Sequence, residues 1–152
     1  MFKKMRRSDK QLSNETTLEL LKNGQEGVLG TLSENGYPYT VVLNYVYYND
    51  KVYFHCAKSG LKLDNIRYHD KVSFTVYGDV EVVGQDLNTL YKSLTLFGKA
   101  RVMDARHDVL KALINKYANI PNEKADLMIK NEINDTAIIE MEILHITGKK
   151  GK

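Results

Sequence analysis

The chain has 152 residues, 43% of them hydrophobic, which predicts one domain of ordinary size with a real core. Its 22 basic and 19 acidic residues leave a net charge of +3, too balanced to indicate a nucleic-acid-binding protein. The single cysteine, Cys56, excludes an intrachain disulfide, and the four histidines do not have the spacing of metal ligands.

The two ends of the chain carry most of the basic excess. We interpret residues 1–7 and 149–152 as flexible, solvated tails of a single domain that spans 1–152. The N-terminus lacks the apolar stretch of a secretion signal, and no apolar run approaches the ~20 residues of a membrane helix. These features indicate a cytoplasmic protein.

Helix and strand patterns follow one another along the chain. Ser13 or Asn14 at the start and Gly24 at the end favour a first helix over 14–23. Ser59 is a candidate cap for a helix over 60–68, and residues 105–131 predict one or two helices interrupted at Pro121. Six strands are predicted, over residues 27–32, 39–48, 51–56, 71–83, 91–103 and 136–147. Strands this long in a short chain favour an α+β protein with a barrel that closes its edges.

Alternation along two strands predicts which side chains share a face. In the third strand Val52, Phe54 and Cys56 lie on one face, and Tyr53, His55 and Ala57 lie on the other. In the last strand one face carries Ala137, Ile139, Met141, Ile143 and His145.

Four segments in a consistent order carry a resemblance to a known family: residues 39–47 (YTVVLNYVY), 53–57 (YFHCA), 60–66 (GLKLDNI) and 93–100 (SLTLFGKA). They resemble the FMN-binding split barrels of the pyridoxamine 5′-phosphate oxidase-like superfamily, and most of all its nitroimidazole-resistance proteins. The resemblance extends from about Arg6 to Lys149.

This resemblance implies a six-stranded antiparallel Greek-key split β-barrel with flanking helices. It also implies a homodimer with FMN at the subunit interface, while the cysteine count and histidine spacing predict no metal site. The cofactor-binding residues that it implies are Thr40, Val41, Val42, Leu43 and Asn44 along one strand, His55, Cys56 and Ala57 on the next, Lys62 at the phosphate and Ser93 near the ring.

Some positions depart from the B6 oxidases within this superfamily. Leu61 stands where those enzymes have a basic residue beside the phosphate-binding lysine, and Ser93 stands where glutamine is frequent. No counterpart of their substrate-binding arginine follows Thr136. These differences disfavour vitamin B6 chemistry.

The sequence therefore predicts an FMN-dependent oxidoreductase that reduces a small electron-poor substrate such as a 5-nitroimidazole. His55 is the candidate catalytic proton donor, with a structural histidine bound to neighbouring backbone as the alternative. Lys62 has the alternative of an exposed helix lysine, and Cys56 is interpreted as a small core residue. A non-catalytic flavin- or haem-binding protein, with His55 or His145 as axial ligand, is the alternative function, and a deazaflavin is the alternative cofactor.

Overall fold

The computed structural model describes residues 1–151, which form seven strands, four α-helices and three short 3-10 turns. The strands are β1 (Gly27–Leu32), β2 (Pro38–Leu43), β3 (Val46–Tyr48), β4 (Lys51–Ala57), β5 (Lys71–Val83), β6 (Asn88–Asp104) and β7 (Thr136–Lys150). The helices are α1 (Asn14–Asn23), α2 (Leu61–Tyr68), α3 (His107–Tyr117) and α4 (Asn122–Glu132). Among the described residues no helix is long and apolar enough to cross a membrane.

All strands belong to one antiparallel sheet in the order β2-β1-β5-β6-β7-β4-β3. The two edge strands, β2 and β3, are joined by only Asn44 and Tyr45, so the sheet must curl until its edges lie near each other. The predicted α+β class is confirmed, and the curled sheet is consistent with a split barrel that does not close.

The prediction of six strands is wrong, because the predicted strand over 39–48 is two strands with different neighbours. Its first half pairs with β1 and its second half pairs with β4. The break lies at Tyr45, whose side chain is completely buried in the barrel and whose hydroxyl donates to the Leu21 carbonyl. Burying this ring turns the backbone out of the β2 ladder.

A β-bulge in β7 changes which side chains of that strand face the interior. Phe97 of β6 pairs with His145, but the next residue, Gly98, pairs with Ile143, so Leu144 is extra. The prediction that His145 shares the apolar face of Ile139 and Met141 is therefore wrong. His145 instead stacks on the exposed ring of Phe97, with Phe2 over both.

The core has two parts on opposite faces of the sheet. The barrel interior is closed at one end by α1, and its fully buried members include Leu21, Leu29, Phe54, Phe74 and Met141. A second cluster lies outside the barrel, where α3 and α4 cover β3, β4 and β7; its members include Val46, Tyr53, Val109, Leu113, Ile129 and Ile138. The helices therefore cover the outer face of β4 at Tyr53 and leave His55, on the same face, exposed.

The C-terminal residues are more ordered than the sequence suggests. Lys149 and Lys150 belong to β7, where they pair with Ser93 and Lys92, and Gln11 forms an isolated bridge with Lys149. Position 152 lies outside the described residues. The predicted tail at 149–152 thus begins inside a strand.

Candidate functional site

A gap between two strand edges opens the barrel on one side. The β3–β4 ladder ends at the Val46–Tyr53 pair, so residues 54–57 of β4 pair only with β7. On the other side, β2 pairs only with β1. We call the gap between residues 38–44 and residues 54–57 the split. Its two borders carry backbone N–H and C=O groups that no strand satisfies, and such groups need a partner.

The predicted residues on β2 divide between the two faces of that strand. Thr40 and Val42 are exposed on the outside, and Val42 keeps 63% of its surface accessible. Val41 and Leu43 are half-buried and pack against the barrel core. Asn44 ends the border and is held by its side chain, whose Nδ2 donates to the Gln25 carbonyl at 3.0 Å.

The predicted residues on β4 alternate as the sequence suggests. His55 and Ala57 are exposed on the outer face, whereas Cys56 is half-buried and packs against the barrel core. Burial raises the pKa of the Cys56 thiol, while the positive charges of Lys62 and Arg67 act in the opposite direction. Lys62 is therefore near Cys56, although helix α2 separates it from the strand in sequence.

Helix α2 places Lys62 at the open end of the split. The predicted cap at Ser59 is not formed; the N-cap is Gly60, with a φ of 146° that favours glycine and no side-chain hydrogen bond. The amides of Leu61 and Lys62 are in the first turn and have no partner within the helix. In residues 1–151 no carboxylate pairs with Lys62, whose side chain is half-buried.

A buried asparagine fixes α2 to the barrel. Asn65 is 3% exposed, and its Nδ2 donates to Thr31 Oγ1 and to Ser33 Oγ, each at 3.0 Å. Both acceptors lie at or just after the end of β1. This anchor holds the lysine-bearing turn in a defined position relative to β1 and β2.

Ser93 lies far from the other predicted site residues within one chain. It pairs with Lys149, whereas His55 pairs with Ile138 on the same strand β7. The two positions on β7 are separated by a strand contour of roughly 36 Å. The structure therefore brings together β2, the end of β4 and Lys62, and leaves Ser93 near the opposite end of β7.

A cavity of about 300 Å³ lies beside the corner where β2 ends. Asn44 and His55 form one wall of this cavity, which we call the helix cavity. The remaining lining comes from the two helices and the start of β7: Leu110, Leu113, Ile114, Tyr117, Ala118, Met128, Ile129, Glu132 and Thr136. In the described residues no group of three His, Cys, Asp or Glu side chains is arranged to hold a metal ion.

The corner itself is held by two neighbouring residues of α3. The Tyr117 hydroxyl accepts from the Tyr45 amide at 3.1 Å and donates to the Gln25 carbonyl. Lys116 Nζ donates to the Tyr45 carbonyl at 2.9 Å and lies 3.7 Å from the centre of the Tyr45 ring. Desolvation lowers the pKa of Lys116 to about 8, and within residues 1–151 no carboxylate pairs with its Nζ.

Comparison with known proteins identifies the family to which the chain belongs. The family model for pyridoxamine 5′-phosphate oxidase matches residues 13–150. The chain belongs to this family. No curated protein matches the sequence.

Solved structures agree with this pyridoxamine 5′-phosphate oxidase assignment at the level of the fold. A Bacteroides thetaiotaomicron protein, provisionally assigned as a 5-nitroimidazole antibiotic resistance protein, superposes with a TM-score of 0.78 at 18% identity over 93% of this chain and 86% of that one. A conserved hypothetical protein from Mycobacterium tuberculosis gives 0.82 at 16% identity, covering 97% and 90%. An FAD and haem binding protein from Mycobacterium smegmatis gives 0.76 at 21% identity, covering 94% and 74%.

Apart from Asn44 and His55, the residues of the helix cavity and of the corner were not among the sequence candidates for this family member. A signal was present for the cavity, because Leu110, Leu113, Ile114 and Tyr117 follow the i, i+3, i+4, i+7 spacing of one helix face. That spacing indicates burial, but it does not show that the buried face leaves a cavity beside His55. Nothing in the spacing singles out Lys116.

Proposed function

We propose that this protein is an FMN-dependent oxidoreductase that reduces small electron-poor compounds such as 5-nitroimidazoles. The observation that carries the proposal is the split itself. Two strand borders with unpaired backbone groups meet at the Asn44–His55 corner, and Lys62 lies at the open end.

The residues around the split fit the chemistry of FMN. A phosphate suits Lys62 and the free amides in the first turn of α2, because a cation and N–H donors act on one anion. The polar edge of the flavin ring requires hydrogen-bond donors and acceptors, and the borders at residues 40–44 and 55–57 offer backbone groups of both kinds. Val42, exposed beside them, would lie against apolar ring atoms.

In this proposal the chain binds and orients FMN and donates a proton to the substrate. The chemistry that FMN supplies when bound is hydride transfer. Reduction of a nitro group also consumes protons, and His55 lies at the corner of the split with an exposed imidazole. Within residues 1–151 its imidazole makes no side-chain hydrogen bond, which favours a proton donor over a structural histidine bound to neighbouring backbone.

The proposal includes a homodimer in which a second chain completes the site. Ser93 lies too far from His55 to act on the same flavin within one chain. The end of the sheet that carries Ser93 also has an unusual number of exposed apolar side chains on the hairpin that joins β5 to β6, namely Val80 (56% exposed), Val82 (74%) and Leu87 (95%). Such side chains favour cover by a partner chain. In the proposed dimer this cover brings Ser93 of each chain towards the split of the other.

Sedimentation of the flavin-loaded protein tests the dimer. We expect a dimer at micromolar concentration, and we expect Val82→Asp to shift the equilibrium towards monomer. Leu127→Asp is the control, because Leu127 is similarly exposed at 58% but lies on α4. A wild-type monomer with flavin bound would remove the dimer from the proposal.

Anaerobic stopped-flow oxidation tests the reaction. The protein is loaded with FMN, reduced and mixed with a 5-nitroimidazole, and the return of flavin absorbance is compared with that of free reduced FMN. We expect the protein to accelerate the oxidation, and equal rates would remove the reductase assignment.

The cofactor is tested separately by mass spectrometry and absorption of the ligand extracted from purified protein. FMN is expected. A deazaflavin or haem in the extract would contradict the FMN assignment and leave the fold assignment intact.

A further inference from the structure

The helix cavity has a mostly apolar lining from well-packed helices. Leu110, Leu113 and Ile129 are 8%, 5% and 3% exposed, so the walls on α3 and α4 are fixed by the second core cluster. Met128 is 42% exposed and is the flexible member of the lining. With a volume of about 300 Å³, the cavity is at the small end of ligand pockets and suits one aromatic ring system.

The polar groups of the lining are mostly occupied. Asn44 Nδ2 donates to Gln25, and the Thr136 hydroxyl donates to the Glu132 carbonyl at 2.9 Å. The Tyr117 hydroxyl is shared between Tyr45 and Gln25. Of the lining side chains, His55, the carboxylate of Glu132 and the Oδ1 of Asn44 remain for a ligand in the described part of the chain.

The charge of the lining is negative. It contains Glu132 and neither lysine nor arginine. Glu132 is also the last residue of α4, where the helix dipole adds negative potential. Three lysines adjoin lining residues in sequence: Lys116 directs its Nζ to the Tyr45 carbonyl, Lys111 directs its Nζ to Asp126, and Lys130 is exposed. A carboxylate or phosphate on a ligand would therefore be repelled, and a neutral or cationic ring would not.

We propose that the helix cavity is the substrate pocket, and that it takes a neutral or weakly cationic ring whose one hydrogen-bond acceptor meets His55. This inference rests on the proposed function, since it places the acceptor of electrons next to the corner of the split. It adds a substrate class and a discrimination against anionic substrates.

Binding of a redox-inert probe tests the pocket without turnover. Calorimetric titration of the FMN-loaded protein at pH 8 with benzimidazole, which is neutral there, is compared with titration with benzoate. We expect benzimidazole to bind at least tenfold more tightly than benzoate. Comparable affinities, or no binding of benzimidazole, would overturn the proposal.

Two variants that fill the cavity locate the binding. Met128→Trp and Ala118→Phe approach it from α4 and from the end of α3, and both residues line it at exposed positions. Each is expected to raise the benzimidazole dissociation constant at least tenfold. Leu127→Trp is the matched control, because Leu127 is exposed on the same helix and does not line the cavity, and it should change the constant less than twofold. Equal effects of Met128→Trp and Leu127→Trp would place the binding elsewhere.

Charge reversal at the rim tests the discrimination. Glu132→Lys should tighten benzoate binding and weaken binding of a cationic ring, while Glu123→Lys, at the other end of α4 and outside the lining, should do neither. FMN titrations run in parallel separate the two proposals. If FMN binds normally and Met128→Trp has no effect on probe binding, the pocket is overturned and the proposed function is not. If the protein binds no flavin but binds the probe, and Met128→Trp abolishes that binding, the pocket is supported and the proposed function is overturned.

Discussion

The wall of β5, β6 and β7 and the split between β2 and β4 differ in how the backbone is satisfied. In the wall, β6 is paired on both sides from Lys92 to Lys99, with β5 on one side and β7 on the other. In the split, residues 38–43 and 54–57 are each paired on one side only. The two regions lie in one continuous sheet.

This difference separates stability from binding. A wall whose backbone groups are satisfied within the chain needs no ligand, and its residues are selected for packing. The borders of the split leave donors and acceptors that a cofactor can use. Variants in the wall are thus expected to change the free energy of unfolding, and variants at the split to change affinity or rate.

The largest expected effect comes from breaking the wall at its bulge. In Gly98→Ala the new Cβ would lie 1.9 Å from the Glu142 carbonyl oxygen, so β6 and β7 must move apart. We expect the free energy of unfolding to fall by about 3 kcal/mol or more, measured by urea denaturation. Gly84→Ala is the control, because no atom of a residue beyond its chain neighbours lies within 4 Å of its Cβ position, and it should change the free energy by less than about 0.5 kcal/mol. Similar losses for the two variants would contradict the close approach at Gly98.

The second-largest expected effect is a loss of FMN affinity at the open end of the split. Lys62→Ala should raise the FMN dissociation constant about tenfold to a hundredfold, since a charge-assisted contact to phosphate contributes roughly 1.5–3 kcal/mol. Fluorescence quenching of FMN measures the constant, and the melting temperature should be unchanged. Arg67→Ala, in the last turn of the same helix, controls for damage to α2. If both variants lose affinity equally, the lysine has no specific contact with the phosphate.

At the corner of the split we expect a change in rate without a change in affinity. His55→Ala should slow flavin reoxidation by a 5-nitroimidazole at least tenfold, since general acid catalysis typically contributes ~10²–10⁴-fold, and FMN binding should be retained. Stopped-flow absorbance measures the rate. His107→Ala, at an exposed histidine that contacts Asp126, is the control. Unchanged kinetics in His55→Ala would leave the reductase assignment in place and remove the proton-donor role.

The smallest effect concerns Lys116, which supports the corner. Its pKa is lowered from 10.5 to about 8 by desolvation, so above pH 8 the folded chain releases a proton that the unfolded chain retains. The unfolded state then binds more protons, and stability rises with pH between about 8 and 10.5. Relative to Lys116→Met, the wild-type free energy of unfolding should rise by about 1 kcal/mol across that window, a value reduced for solvent screening.

Urea denaturation at pH 7.5 and pH 10 measures this difference. Lys124→Met, at an exposed position on α4, is the control, and its difference from the wild-type protein should not vary between the two pH values. A Lys116→Met curve parallel to wild type would show that the amine is fully hydrated at both pH values.

The sequence predicts the alternation of side chains along a strand well, but it predicts poorly where a strand is interrupted. Alternation places Cys56 inward and His55 outward on β4, as the structure has them, because burial on one face is a local pattern. The break at Tyr45 is hidden because 39–48 is rich in β-forming residues throughout. The strand ends at long-range contacts of Tyr45, those of its hydroxyl with Leu21 and of its backbone with Lys116 and Tyr117.

The site shows the same limit. The split borders follow from segments that resemble a family, whereas the helix cavity depends on how α3 and α4 settle on β4. The bulge at Leu144 depends on the approach of Gly98 to Glu142 across two strands and has no local signal. Each of these features arises from contacts between residues that are distant in sequence.

The two-residue connection at Asn44 and Tyr45 also determines how the split can deform. The two borders of the split converge at this connection. Tyr45 is held in place there, because its side chain is buried and its backbone is bound by Tyr117 and Lys116. Any change in width is therefore an angular opening about this connection, small at His55 and larger at the end near Thr40 and Ala57. The end of the split where we propose the phosphate can therefore change in width while the distance between Asn44 and His55 stays nearly constant.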